Sequence, residues 1–277
     1  MPAIEYSLFR AKFIPSKQPP LFPPEPLTAE QIFVRALEEK PSAEPREGHR
    51  WHIGNIQLFT QNTGYFACGR TTKSTIEKFD ETSKNFLEEE LETSPYTHCV
   101  FNAQIGILGI ARKTSLAPTV KGIAARIQQL LSQTKVVANS HTSVEIAPIP
   151  DPEDFLRALD SAYLVSRFAA TFHGPNPFDA DEAFQKPLSV YLRAANGKSG
   201  RAQIQGDDLN REVLKAVTRS TAATGNEATA RIRKKKSAKA TTMHLRGDPV
   251  KGQYDEDDKP REVLADLEKI YERVREK

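Results

Sequence analysis

The sequence is poor in cysteine, methionine and tryptophan, with two, two and one among 277 residues. Two cysteines, Cys68 and Cys99, cannot build the disulfide framework of a small secreted domain. Both stand among apolar or aromatic neighbours in expected strands and read as buried thiols in a reducing cytosol. No Cys-x-x-Cys or His-Glu-x-x-His occurs, so the common zinc signatures are absent. His49 and His52, three apart where a strand begins, point to opposite faces. No metal and no other cofactor is expected. No apolar run approaches the roughly 20 residues that cross a bilayer. The N-terminus lacks a basic region followed by an apolar core. The chain therefore reads as cytoplasmic, without membrane insertion of its own. Gly197-Lys198-Ser199 fails as a phosphate-binding loop, because Leu192 occupies the place of its first glycine.

Charge is present but unevenly placed. Residues 1–189 carry a net −3, residues 190–250 a net +8 from 13 Lys+Arg against 5 Asp+Glu, and residues 251–277 a net −2. The densest part is Ala228–Gly247, where Arg231, Arg233, Lys234, Lys235, Lys236 and Lys239 crowd together and Arg246 follows. Such a cluster repels itself unless an anion neutralises it, which points to a polyanionic partner.

Periodicity gives the elements. Ile4–Ile14 alternates as a strand, and the prolines from Pro15 to Pro26 mark an extended connection. Thr28 and Gln31 have capping-box spacing ahead of a helix buried through Ile32, Phe33, Ala36 and Leu37. Arg50–Thr60 and Gly64–Arg70 form a hairpin. Ser74–Glu92 reads as a helix with Ile76, Phe79, Phe86, Leu87 and Leu91 inward. Thr97–Phe101 and Ile105–Ala111 pair as strands, a helix runs from Ser115 to Gln133, and Ser143–Ile149 returns as a strand.

A helix opens at Asp151-Pro152, and Leu164–Phe172 is a strand ending at a His173-Gly174-Pro175 turn. An acidic helix is expected over Asp179–Gln185, and a hairpin over Leu188–Ala195 and Arg201–Gln205 with Lys198 at its tip. Asp207 caps a helix to Ala222, buried through Leu209, Val213 and Val217, with Arg211, Lys215 and Arg219 as a basic stripe. Glu227–Arg233 is the strand that feeds the lysine cluster, whose Ser/Ala/Thr-rich remainder is expected to stay mobile. Residues 248–260 read as an acidic linker, and a terminal helix carries Leu264, Leu267, Tyr271 and Val274. That helix either docks on the core or pairs with a second copy.

The expected fold is α+β: antiparallel sheets with helices packed on one face, ferredoxin-like in their alternation of hairpins and helices. Three parts follow: an α+β domain over 1–150, a second lobe with the basic cluster over 151–247, and a linker with an amphipathic helix over 248–277.

The candidate nucleic-acid surface comprises Arg231, Arg233, Lys234, Lys235, Lys236, Lys239 and Arg246, the stripe Arg211, Lys215 and Arg219, and Lys198 with Arg201. Several phosphate contacts of this kind give strong, salt-sensitive and largely sequence-blind binding. Weaker candidates for catalysis are the Glu-x-Lys spacing of Glu38-Glu39-Lys40 and His173 as a general acid or base.

GYFACGRTTKSTIEKF (64–79), YTHCVFNAQIGILGIARKT (96–114), TSVEIAPI (142–149) and SVYLRAANGKSG (189–200) resemble, in order and spacing, the layout of the RexA family of phage exclusion proteins. They also resemble bacterial proteins of this length from antiphage-defence settings. The resemblance implies a cytoplasmic, dimeric, sequence-nonspecific DNA binder that signals to a membrane channel partner.

The leading expectation is a non-enzymatic nucleic-acid-binding component of a defence system, with DNA favoured over RNA, a protein effector and a homodimer. The alternatives are a metal-independent endoribonuclease and a module docking on an acidic protein.

Overall fold

The structure is a computed structural model that describes residues 3–15, 27–173, 184–197, 199–255 and 257–276. Residues 16–26 of the proline-rich segment, residues 174–183 with the expected Gly174-Pro175 turn and most of the acidic stretch, and Lys198 lie outside the described residues.

The fold is α+β, built among the described residues on two sheets whose pairings are all antiparallel. The elements of the large sheet are β1 (Ala3–Pro15), β2 (Ser42–Arg46), β3 (His49–Leu58), β4 (Thr63–Asp80), β5 (Asn85–Thr93), β6 (Tyr96–Asn102), β7 (Ile107–Ala111) and β8 (Thr142–Pro148). A ninth strand, given below as β13, comes from near the C-terminus. Helices α1 (Ala29–Glu38), α2 (Val120–Ser132) and α3 (Lys135–Asn139) interrupt them. The second part holds α4 (Glu153–Asp160), β9 (Leu164–His173), α5 (Gln185–Ala194), β10 (Ser199–Gln205), α6 (Arg211–Ala223), β11 (Ala228–Arg233) and β12 (Thr241–Leu245). The chain ends in β13 (Lys251–Asp255) and α7 (Pro260–Glu276). The large sheet runs β13-β1-β7-β6-β4-β3-β2, with β5 on β4 and β8 on β1; the small sheet runs β10-β9-β11-β12.

Strand alternation divides the large sheet's side chains between two cores. Phe9, Ala11, Cys99, Phe101, Leu108 and Ile110 join α1 and α2 in one. Tyr6, Leu8, Val100, Ile107 and Ala111 join α4, α6, α7 and the small sheet in the other. Helices therefore cover both faces of this sheet, not the single face expected. α7 docks on the core through Val263, Leu264, Leu267, Ile270, Tyr271 and Val274. Gly109 makes this docking possible, since a Cβ there would stand 2.4 Å from Leu267 Cδ1. The expected acidic linker is in part strand β13, paired with Ala3–Ser7 of β1.

The capping box of Thr28 and Gln31 forms as read. Other local readings are overturned. Residues 74–92 are not a helix: Thr72–Asp80 pairs residue by residue with Asn85–Thr93 as an exposed hairpin arm. The threonines and Ile76 favour extended backbone. The turn is closed by Lys84 N–H donating to the Asp80 carbonyl at 2.7 Å and by the Asp80 carboxylate accepting from Thr82 and Ser83. Phe86 is 80% exposed, and Ile76, Phe79, Leu87 and Leu91 also reach solvent rather than a core.

The Leu188–Ala195 strand is instead α5, with Gln185, Ser189 and Leu192 buried at helical spacing. Asn196-Gly197 ends that helix: Asn196 adopts φ 53°, and Gly197 N–H donates to the Leu192 carbonyl at 2.8 Å. This is a left-handed helix cap, which needs the same two residue types as a hairpin turn. α2 is capped by Thr119 rather than started at Ser115, and α6 is capped by Asn210, not Asp207. α6 buries Leu214, Thr218 and Thr221, leaving Val213 56% exposed.

Candidate nucleic-acid interface

The small sheet buries one side and leaves the other to solvent. On β11, Ala228, Ala230 and Ile232 are each 1% exposed, which turns Thr229, Arg231 and Arg233 outward. On β9, Phe168, Ala170 and Phe172 point inward, so Arg167, Ala169 and Thr171 belong to the outer face, where Arg167 is exposed and the small Ala169 is 2% exposed. Register then assembles rows across the strands. One row is Gln205–Arg167–Arg231–Thr242, and the next is Gln203–Ala169–Thr229–His244. In a third, Arg201 pairs with Thr171, which is bonded to the Glu227 backbone. With strands about 4.8 Å apart, each four-residue row spans roughly 14 Å.

Hydrogen bonds set some of these groups. Arg201 Nη2 donates to Thr229 Oγ1 at 3.2 Å, and Arg246 pairs with Glu227 at 3.5 Å. Arg167 and Arg231 have no ion-pair partner among the described residues. The lysine cluster continues this face beyond the end of β11. Lys234, Lys235, Lys236 and Lys239 are all exposed, around a turn in which Ala238 N–H donates to the Lys235 carbonyl at 3.0 Å. The chain then returns as β12, so the Ser/Ala/Thr-rich remainder is not a mobile tail. Arg231, Arg233, Lys234, Lys235, Lys236, Lys239, Arg201 and Arg246 thus share one surface.

The stripe on α6 does not belong to it. α6 packs on the buried side of the small sheet, and its cations are occupied by the chain itself. Arg211 pairs with Asp208 and donates to the Ala162 carbonyl at 3.0 Å. Lys215 lies 2.8 Å from Glu212 and 3.1 Å from Asp160, and these hydrogen bonds push its pKa up. Arg219 reaches Glu153 at 3.4 Å and the Arg273 carbonyl. Lys215 and Arg219, with Glu153, Asp160 and Glu212, line a cavity of about 620 Å³ between α4, α6 and α7. Arg211, Lys215 and Arg219 are therefore removed from the phosphate-facing set.

Arg167, Gln203, Gln205, Thr242 and His244 were not legible as candidates. The alternation of RFAATFH carries a signal for Arg167, but only the register places it against Arg231.

The weaker catalytic candidates have structural partners. Glu39 accepts from the N–H groups of Lys135 and Val136, both at 2.7 Å, and so caps α3. His173 Nδ1 lies 2.8 Å from Asn226 Oδ1, which also accepts from Lys12 Nζ at 3.2 Å. Asn226 Nδ2 donates to Thr224 Oγ1, which fixes the amide's orientation. Lys12 is 2% exposed, and burial lowers its pKa to about 8, against an opposing pull from Glu145 at 3.8 Å. Beside it, Arg10 Nη1 donates to Tyr271 Oη at 2.8 Å. This cluster fastens β1 to the entry of β11 and to α7. Among the described residues, no group of three or more His, Cys, Asp or Glu is placed to hold a metal ion, and no helix is long and apolar enough to cross a membrane.

No protein-family model matches the chain, and no curated protein matches its sequence.

Proposed function

We propose that this chain binds nucleic acid through phosphate contacts that are largely blind to sequence, with DNA favoured. The observation that carries this reading is the outer face of the small sheet, where arginines on three strands continue into the lysines of the β11–β12 turn. Glu227, held by Arg246, is the only carboxylate on the rows described above. Apart from Ala169 and Glu227, the non-cationic positions are Thr, Gln and His, which can donate to phosphate and sugar oxygens. The rows carry no aromatic platform, which favours backbone contacts over base stacking.

Each Lys or Arg that neutralises a phosphate releases counterions condensed on the nucleic acid, and that release supplies most of the affinity. Asn226 precedes β11 and is held by Lys12 of β1, so a tilt of the small sheet on binding would be passed to the large sheet. A protein effector would read that movement. The RexA-like order and spacing over roughly residues 50–205 support placing this binder in the cytoplasm, in a phage-exclusion or abortive-infection system. The ferredoxin-like kinship of its modules is part of the same reading.

The test is anisotropy titration of two duplexes of unrelated sequence across a salt series. With about five phosphates neutralised, log affinity should fall against log salt with a slope near −4 to −5, alike for both duplexes. Replacing Lys234, Lys235 and Lys236 together by Gln should flatten the slope by about 3. Unchanged binding in that triple variant would sink the proposal.

A further inference from the structure

Among the described residues, the β4–β5 arm is a long hairpin whose side chains the rest of the fold leaves largely exposed. Nine register pairs, from Thr72↔Thr93 to Asp80↔Asn85, carry it roughly 30 Å along the strand direction. Between Thr72 and Thr93 it has seven Asp+Glu against three Lys. The register sorts these charges. Lys73↔Glu92, Thr75↔Glu90, Glu77↔Glu88 and Phe79↔Phe86 share one face. Glu90 is held by Lys73 at 3.6 Å, whereas Glu77, Glu88 and Glu92 have no ion pair among the described residues. Glu77 and Glu88 stand directly opposite one another, an arrangement that destabilises a hairpin. At the far end of the same face, Phe79 and Phe86 meet edge to face at 5.2 Å, with Phe86 80% in water.

A carboxylate row ending in exposed aromatic rings calls for a partner that is cationic and has aliphatic stems to lay over the rings. The chain carries such a strip at the β11–β12 turn: Arg231, Arg233, Lys234, Lys235, Lys236 and Lys239, exposed apart from the half-buried Arg233. Among the described residues no hydrogen bond or ion pair joins arm and turn within one molecule.

We infer that the acidic arm of one copy seats on the basic β11–β12 turn of a second copy, making self-association that is electrostatic and salt-sensitive. The inference is independent of nucleic-acid binding, since it needs only the two surfaces. Where both hold, arm and nucleic acid compete for the same lysines.

Sedimentation velocity of nuclease-treated protein tests it, at low and high salt. The wild type should associate at low salt and dissociate as salt is raised. An arm-reversed chain (Glu77→Lys, Glu88→Lys, Glu90→Lys) and a turn-reversed chain (Lys234→Glu, Lys235→Glu, Lys236→Glu) should each be monomeric alone. Mixed together they should associate, because each now offers the complement of the other. A milder arm variant, with Gln at the same three positions, should weaken association while preserving the hairpin, as judged by circular dichroism. Phe86→Ser should weaken it as well. A wild type that stays monomeric at low salt would overturn the inference. So would association that persists in either reversed chain, or a mixture of folded reversed chains that stays monomeric. The turn-reversed chain also loses phosphate contacts, but the arm-reversed chain keeps them, so failure of this inference and failure of nucleic-acid binding are separately visible.

Discussion

Arg231 on β11 lies directly across the strand pair from Arg167 on β9, two exposed guanidinium groups side by side in the register. Like charges in this position cost a hairpin or sheet stability, on the order of a few tenths to 1 kcal/mol. A bound phosphate reverses that sign, because each guanidinium can then make charge-assisted hydrogen bonds to it.

The pair therefore yields a paired expectation. Arg167→Thr should raise the thermal stability of the free protein slightly and lower its affinity for duplex DNA severalfold at moderate salt. Melting curves and anisotropy on the same preparation check both. A variant that lost stability and kept its affinity would count against a phosphate-facing role for this row.

The α6 cations are expected to behave in the opposite way. Arg219 is half-buried between Glu153 and the Arg273 carbonyl, both at 3.4 Å. Arg219→Gln should cost about 1 kcal/mol of stability by removing those bonds. The salt slope of nucleic-acid binding should not move. Urea denaturation and the salt series separate the two effects.

Lys12 gives a pH signature. Burial depresses its pKa from 10.5 to about 8 in the folded state, so above pH 8 the folded chain releases this proton before the unfolded chain does. The unfolded state then holds more protons, and stability rises with pH from about 8 to 10.5, by on the order of 3 kcal/mol. The cysteines act oppositely, because burial raises their folded pKa and stability is lost as pH climbs past the ordinary thiol value. Comparison with Lys12→Met cancels that loss. The stability difference between wild type and Lys12→Met should grow in favour of the wild type from pH 8 to 10.5, measured by urea titration.

Cys68 and Cys99 are fully buried free thiols on the α1–α2 side of the large sheet. Burial pushes Cys68 up to about 12 and moves Cys99 in the same direction. The native protein should show no thiol reactive toward a disulfide reagent at pH 8, and both should react once it is unfolded in guanidinium. Fast reaction of either in the native state would mean that the sheet opens locally.

Several features were legible because they depend on near neighbours. The Thr28–Gln31 capping box needs only four residues, and the alternation of β1, β6, β7 and β11 needs only its own strand. The concentration of basic charge in residues 190–250 is likewise local. Where two local patterns compete, the sequence was ambiguous. The spacing of Ile76, Phe79, Phe86 and Leu91 suited a helix, but nine cross-strand pairs made a hairpin instead. Asn196-Gly197 suited a turn, but α5 used it as a cap.

The sequence by itself determined that this chain carries a dense cationic surface on an otherwise mildly acidic α+β protein, since charge and periodicity are written residue by residue. Only the tertiary structure decided which cations share that surface. Arg211, Lys215 and Arg219 are as basic in sequence as Arg231 and Lys234. Yet Asp208, Asp160, Glu212 and Glu153 bind them on the inner side of the small sheet, while strand register sets Arg167 and Arg201 beside Arg231 on the outer one. An ion pair and a register each depend on residues brought together by packing, and no local pattern records them.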